Sequence, residues 1–247
     1  AISNTVNGFN VNMGHMAGRK SHNASRNINV GAGAGELSES SDNINIGFQT
    51  GKNIIGTSNT LLGSQTGNSL KGNNNVAIGN NCLLGDDEIE NPVINNVIVG
   101  EKAGQYVLSN QNVIIGAQAA ELNSEKKISN ENIIIGYQAG NSMGIANTSS
   151  SAGPTGNIFM GKQSGNNCQS NNNVYLGNNS GTVNVSGSQN IFVGVNTGAS
   201  MTTGSNSVIV GNNAGQSTTV NCDGEILIGS NAGVAVTGTQ NTLLGFN

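Results

Sequence analysis

The sequence predicts an all-β chain folded as a parallel β-solenoid, and three observations carry that prediction. A short phrase recurs along the whole chain: "NVIVGEKAG", "NVIIGAQAA", "NIIIGYQAG", "NIFMGKQSG", "NIFVGVNTG", "SVIVGNNAG" and "EILIGSNAG". Each copy holds a three-residue run of mostly β-branched or aliphatic residues ended by glycine, too short and too branched for a helix. The composition also excludes a thick conventional core. Of 247 residues, 45 are asparagine and 37 glycine, tryptophan is absent and aromatics make up 3%.

Aligned on that glycine, the copies fall at Gly14, Gly31, Gly47, Gly63, Gly79, Gly100, Gly116, Gly136, Gly161, Gly177, Gly194, Gly211, Gly229 and Gly245. Self-similarity at a fixed period marks a repeat architecture. The intervals are mostly 16 or 17 residues, so each copy reads as one coil and the chain as about 14 coils. The domain reading is a single solenoid over 1–247, with insertion loops at 82–95, 120–131 and 141–156. Stacked at the spacing of hydrogen-bonded strands, such coils would make a rod of about 65 Å.

Each element of the coil has a residue-level reason. One residue before the glycine is always aliphatic or Met, as in Ile46, Ile115 and Val193, and three before it is always β-branched, as in Ile44, Val113 and Ile191. Two apolar positions of one parity predict a short strand with those two side chains facing inward. Two residues past the glycine stands Gln or Asn in most copies, then a small residue, then usually a second glycine, which suits a tight corner. Seven past it an apolar residue often recurs (Ile54, Leu70, Val107, Met143, Cys168, Met201, Val236) and predicts the inward residue of a second, weaker strand.

Four residues before the glycine stands asparagine in nearly every copy: Asn43, Asn59, Asn75, Asn96, Asn112, Asn132, Asn157, Asn173 and Asn190 among them, with Ser207 and Glu225 as exceptions. Two readings are open here. Amides one coil apart can form a hydrogen-bonded ladder, as stacked Asn do in cross-β assemblies, or Asn simply tolerates the corner conformation.

The residue two before the glycine is expected to point outward if its neighbours point in. It is Asn12, Asn29 and Asn45 in the first three copies, then turns apolar: Leu61, Ala77, Ile98, Ile114, Ile134, Phe159, Tyr175, Phe192, Ile209, Leu227 and Leu243. An exposed greasy stripe about 50 Å long is a contact surface on a soluble protein. These residues are therefore expected to form an oligomer interface. The alternative is a rotated strand that buries all three residues in a flattened single-chain core. Closed homo-oligomers are the default for an identical stripe, and a parallel homotrimer lets each coil meet its own copy.

The repeat phrases resemble the heads of YadA-like trimeric autotransporter adhesins, and still more the repeats of tail-fibre and surface-fibre proteins of phages and large viruses. The resemblance covers essentially the whole chain. It implies a left-handed parallel β-roll, usually trimeric, serving as a stiff stalk or adhesive head.

Other chemistry is weakly signalled. The net charge is −4 with few, scattered Lys and Arg, which offers no basic face for nucleic acid. No apolar run is long enough to span a membrane. Cys82, Cys168 and Cys222 have unrelated spacings, so neither a disulfide framework nor a zinc site is expected. Asp86, Asp87, Glu88 and Glu90 could hold Ca²⁺ but lack the order of a known loop, and a solvated acidic loop is the preferred reading. His15 and His22 lack a third ligand, so no metal and no cofactor are expected. Acceptor triplets for N-glycosylation fall at Asn23, Asn147, Asn178 and Asn184. No recurrent carboxylate pair suggests a polysaccharide-cleaving spike, and the Thr runs are too irregular for ice binding.

The expected function is therefore structural and non-enzymatic: an extracellular fibre, on a cell or virion surface, giving reach and attachment. The expected partners are copies of itself and a surface glycan or receptor. The chain begins without Met and stops in mid-coil at "NTLLGFN". That suggests a piece of a longer fibre or a subunit that stacks head to tail into a filament.

Overall fold

In the computed structural model, every copy of the repeat phrase builds a three-residue strand. The structure describes residues 8–21, 23–85, 92–107, 109–122, 126–127, 130–146, 153–217 and 223–246. Contacts divide the chain into two compact units, Ala1–Ala117 and Gln118–Asn247. Both are all-β parallel solenoids, with no helix among the described residues.

The first unit carries β1 (Val11–Met13), β2 (Ile28–Val30), β3 (Ile44–Ile46), β4 (Thr60–Leu62), β5 (Val76–Ile78), β6 (Val97–Val99) and β7 (Val113–Ile115). Each pairs in parallel with the next in chain order, so equivalent residues stack: Val97 lies on Val113, Ile98 on Ile114 and Val99 on Ile115. The second unit repeats this with β9 (Ile133–Ile135), β11 (Ile158–Met160), β12 (Val174–Leu176), β13 (Ile191–Val193), β14 (Val208–Val210), β15 (Ile226–Ile228) and β16 (Thr242–Leu244). Between these, β8 (Lys126–Lys127) and β10 (Ile145–Ala146) pair antiparallel, which joins the insertions at 120–131 and 141–156 to each other.

The strand-ending glycine is required by space and by backbone conformation. Gly63 has φ +133°, and a Cβ built on it would collide with the carbonyl of Gly79 in the next coil. The corner then turns through a left-handed Gln or Asn, such as Gln65 at φ +55°, and a left-handed second glycine, Gly67 at φ +62°. Only residues tolerant of positive φ fit this sequence of turns.

The expected second strand is reduced. Ile54, Leu70, Val107, Met143, Cys168 and Met201 are buried as expected, and Val236 is half-buried. Around them, however, the only regular pairing among the described residues is one parallel bridge, Ile55 to Lys71. With the strand and the corner taking up much of a 16-residue coil, few extended positions remain for a longer ladder.

Candidate functional site: interior ladders and the outer sheet face

The facing of the strand is the reverse of the expectation. The middle residue points into the coil and its two neighbours point out. Leu61, Ile98, Ile114, Ile134, Phe159, Tyr175, Phe192, Ile209 and Leu227 are 0% exposed within the single chain. They are the core and offer no surface to a partner. Leu243 stands in register with Leu227 and is 40% exposed, with no coil after it among the described residues. The flattened core that would bury all three residues is absent too: Ile46 is 39% exposed, Ile133 37% and Ile191 43%.

The second glycine explains the choice of face. A Cβ on Gly67 would strike Leu61, on Gly181 the ring of Tyr175, and on Gly198 the ring of Phe192. The bare glycine is thus the floor on which the middle side chain rests. A coil this thin admits one large side chain from the strand, and bulk in that column is accommodated by small residues next to it, such as Ala103, Ala139 and Ser164.

The asparagine four before the glycine has the same parity as the middle residue and is buried for the same reason. Asn59 N–H donates to Asn43 Oδ1 at 2.9 Å, and Asn59 Nδ2 donates to the same oxygen at 3.0 Å and to Gly72 O at 2.8 Å. The pattern repeats from Asn59 to Asn75, Asn75 to Asn96 and Asn96 to Asn112 in the first unit. In the second unit the backbone N–H to Oδ1 bond runs from Asn132 to Asn157, Asn157 to Asn173 and Asn173 to Asn190. The exceptions keep the chain of bonds intact. Ser207 N–H donates to Asn190 Oδ1, Glu225 N–H to Ser207 Oγ, and Asn241 Nδ2 to Glu225 Oε1. Each amide therefore satisfies a backbone N–H that the corner would otherwise leave without a partner.

Three further ladders went unread in the sequence. Asn45 Nδ2 donates to Asn29 Oδ1 and Asn29 Nδ2 to Asn12 Oδ1, both at 2.8 Å, forming an interior amide column in the first coils. It ends where Leu61 begins, and Asn45 Oδ1 is buried without a partner. Phe159, Tyr175 and Phe192 stack with ring centroids 5.0 and 4.8 Å apart. Near the surface, Gln163 donates to Gln138 and Gln138 to Gln118, each at 3.1 Å. All three could have been found by asking which like residue types, amide or aromatic, recur at one repeat position.

Charges also stack. Glu36 lies between Arg19 and Lys52, one coil away on either side, with Arg19 Nε at 2.8 Å and Lys52 Nζ at 3.6 Å. The hydrogen bond from Arg19 holds the Glu36 carboxyl below the usual carboxylate range, partly opposed by desolvation. Its flanking side chains cover it, and Glu36 is buried.

Among the described residues, the outer sheet face is an extended apolar surface. In the first unit it presents Ile28, Ile46, Ile78, Val97 and Ile115, and in the second Ile133, Met160, Ile191, Ile226 and Ile228, all exposed. The outer face of a solvated strand is normally polar, so two aliphatic columns per unit form an apolar patch of the kind that marks an interaction site.

The remaining candidates offer little. Burial pushes the Cys82 thiol up to about 11 and raises Cys168 likewise, so both are inert fillers. Asn184 is fully buried and closed to glycosylation, whereas Asn178 is exposed. His22, Asp86, Asp87, Glu88, Glu90, Asn147 and Cys222 lie outside the described residues.

Together these features define a repeat protein of the parallel β-solenoid class, held by ladders of like residues. No family model, no curated protein and no solved structure matches the chain.

Proposed function

We propose that the chain is a non-enzymatic structural segment of an extracellular fibre, related to the YadA-like heads and viral tail-fibre repeats, and that it works as a parallel homotrimer. The observation that carries this reading is the pair of aliphatic columns on the outer sheet face. The coil interior is filled by the middle side chain of each strand, by the residue seven past the glycine and by hydrogen-bonded amides, which favours stiffness over a ligand cavity.

The occupant of the outer face is a further copy of the same chain. Each coil presents the same two outward positions at the same register, aliphatic or Met in all but Thr60 and Thr242, so a parallel copy meets every rung with its own counterpart. A thin coil with little core of its own gains most from such association. Attachment to a glycan or receptor is assigned to the insertions at 82–95, 120–131 and 141–156, since loops carry recognition on rigid scaffolds.

Molar mass measured by light scattering over a hundredfold range of concentration tests the assembly. A constant mass of three chains supports the trimer. Mass that keeps rising supports the head-to-tail filament instead, and a single-chain mass at all concentrations overturns both. A variant carrying Ile133→Lys, Ile191→Lys and Ile226→Lys should become monomeric while retaining its β-sheet circular dichroism.

A further inference from the structure

The coils of β1–β7 share one backbone ladder but not one interior. Val11 N–H donates to Asn27 O at 2.8 Å and Ile28 N–H to Asn43 O at 2.9 Å. Further along, Val76 N–H donates to Asn96 O and Val97 N–H to Asn112 O, both at 2.9 Å. Under that even ladder the filling changes at Leu61. From there on the interior is apolar, with Leu61, Leu70, Ala77, Ile98, Val107 and Ile114 all buried. Before Leu61, the buried hydrophobic residues among the described residues are Ala24, Ala34 and Ile54 alone. The middle strand position holds Asn12, Asn29 and Asn45, and the position seven past the glycine holds Ser21 and Ser38. These side chains bond to one another and to backbone, as Ser21 Oγ does to Gly35 O at 2.9 Å and Ser38 Oγ to Ser40 Oγ at 3.0 Å. A hydrogen bond inside the coil replaces one to water and gains little, whereas a buried Leu or Ile gains the full transfer from water. Asn45 Oδ1, at the changeover, is buried without a partner.

The charged column belongs to the same three coils. Glu36 is buried between Arg19 of the coil before, whose Nε donates at 2.8 Å, and Lys52 of the coil after, with Nζ at 3.6 Å. Arg26 and Asp42 pair on a corner of these coils, Nε to Oδ1 at 2.6 Å. The other titratable groups among their described residues are the exposed His15, and Lys20 and Glu39, which line a surface groove with Leu37, Asn53 and Ile55. The Arg19 hydrogen bond holds the Glu36 carboxyl below its ordinary range. Its contribution is therefore lost as pH falls through that lowered value. Protonation also removes the anion that separates Arg19 from Lys52.

We infer that the coils of β1–β3 open separately from those of β4–β7 and are released by acid through Glu36, with the boundary between Asn45 and Leu61. Opening would uncover the edge of β4, whose freed N–H and C=O groups can take up a new strand. The inference concerns the interior of one chain and stands apart from the assembly and function proposed above.

Backbone hydrogen exchange of the full chain, corrected for the intrinsic chemical rate, tests it. At pH 6 the amides of β1–β3 should be protected at least about a hundredfold less than those of β4–β7, with a step between Ile46 and Thr60. At pH 3 the protection of β1–β3 should fall further while that of β4–β7 holds. Glu36→Gln at pH 6 should already show the β1–β3 exchange that the unaltered chain shows at pH 3. The triple variant Asn12→Leu, Asn29→Leu and Asn45→Leu continues the Leu61 column and strands no amide, so it should raise β1–β3 toward the level of β4. An even gradient of protection from β1 to β7 overturns the inference. So does an acid loss shared equally by β4–β7, or one that persists in Glu36→Gln. Should the variants fail to fold, the exchange profiles of the unaltered chain at the two pH values decide.

Discussion

At the scale of single residues, neighbours in one strand have opposite duties. Ile134 is sealed in the coil while Ile133, one position earlier, faces out. Replacing Ile134 with Ala should cost about 2–5 kcal/mol, the range for large-to-small changes in cores. Ile133→Ala should change the stability of an isolated chain by well under about 1 kcal/mol and show its effect in assembly. Urea unfolding of both variants under monomeric conditions checks the contrast, and equal losses would contradict the assignment of faces. The strand-ending glycine is less forgiving still. Gly63→Ala combines a positive φ with a collision against the Gly79 carbonyl, so it should destabilise by more than the roughly 1 kcal/mol of an ordinary glycine substitution. Cys82 and Cys168 should resist thiol reagents at pH 8 and react only when denaturant is added, since burial keeps both thiols protonated.

At the scale of the element, the asparagine ladder sets the corner and its removal has a directional cost. Asn96→Ala should leave the buried N–H of Asn112 without its acceptor, at about 1–3 kcal/mol for the stranded donor alone. Asn96→Ser should recover part of that loss, because Ser207 does this work in the second unit. The charged column of the first unit adds a pH dependence. The folded pKa of Glu36 lies below its ordinary value of 4.5. Its contribution is therefore complete above that value and disappears as pH falls through the lowered folded pKa. The urea midpoint should drop between pH 5 and pH 3, and Glu36→Gln should flatten that drop. An unchanged slope in the variant would remove Glu36 from the explanation.

At the scale of the molecule, each unit is a stack of near-equivalent coils, so stability comes from neighbour-to-neighbour terms more than from a central core. The outer aliphatic columns recur in both units, and mutations there should act through assembly state. Much of this was legible in the chain: the repeat, its period, the place of the strand in every copy of the phrase, the small buried residue after the corner and the buried residue seven past the glycine, but not the pair β8 and β10, which fall in expected loops. The asparagine column was visible too, though its hydrogen bonds were open to two readings. The facing of the strand was misread because all three of its positions are apolar from Leu61 onward, so alternation gave no contrast. Asn12, Asn29 and Asn45 strengthened the error, since a polar residue in a strand normally faces water. Here those amides bond one another inside the coil.

The amino-acid order alone determined that this chain is a parallel β-solenoid with a strand ending at each repeat glycine, because glycine and β-branching constrain the backbone locally. Which strand residues are core and which are surface was decided only in the folded coil. A period of two divides a strand into two faces without ranking them. The second glycine follows the strand around the corner and is folded back against its middle residue, as Gly67 is against Leu61, and leaves room on one face alone.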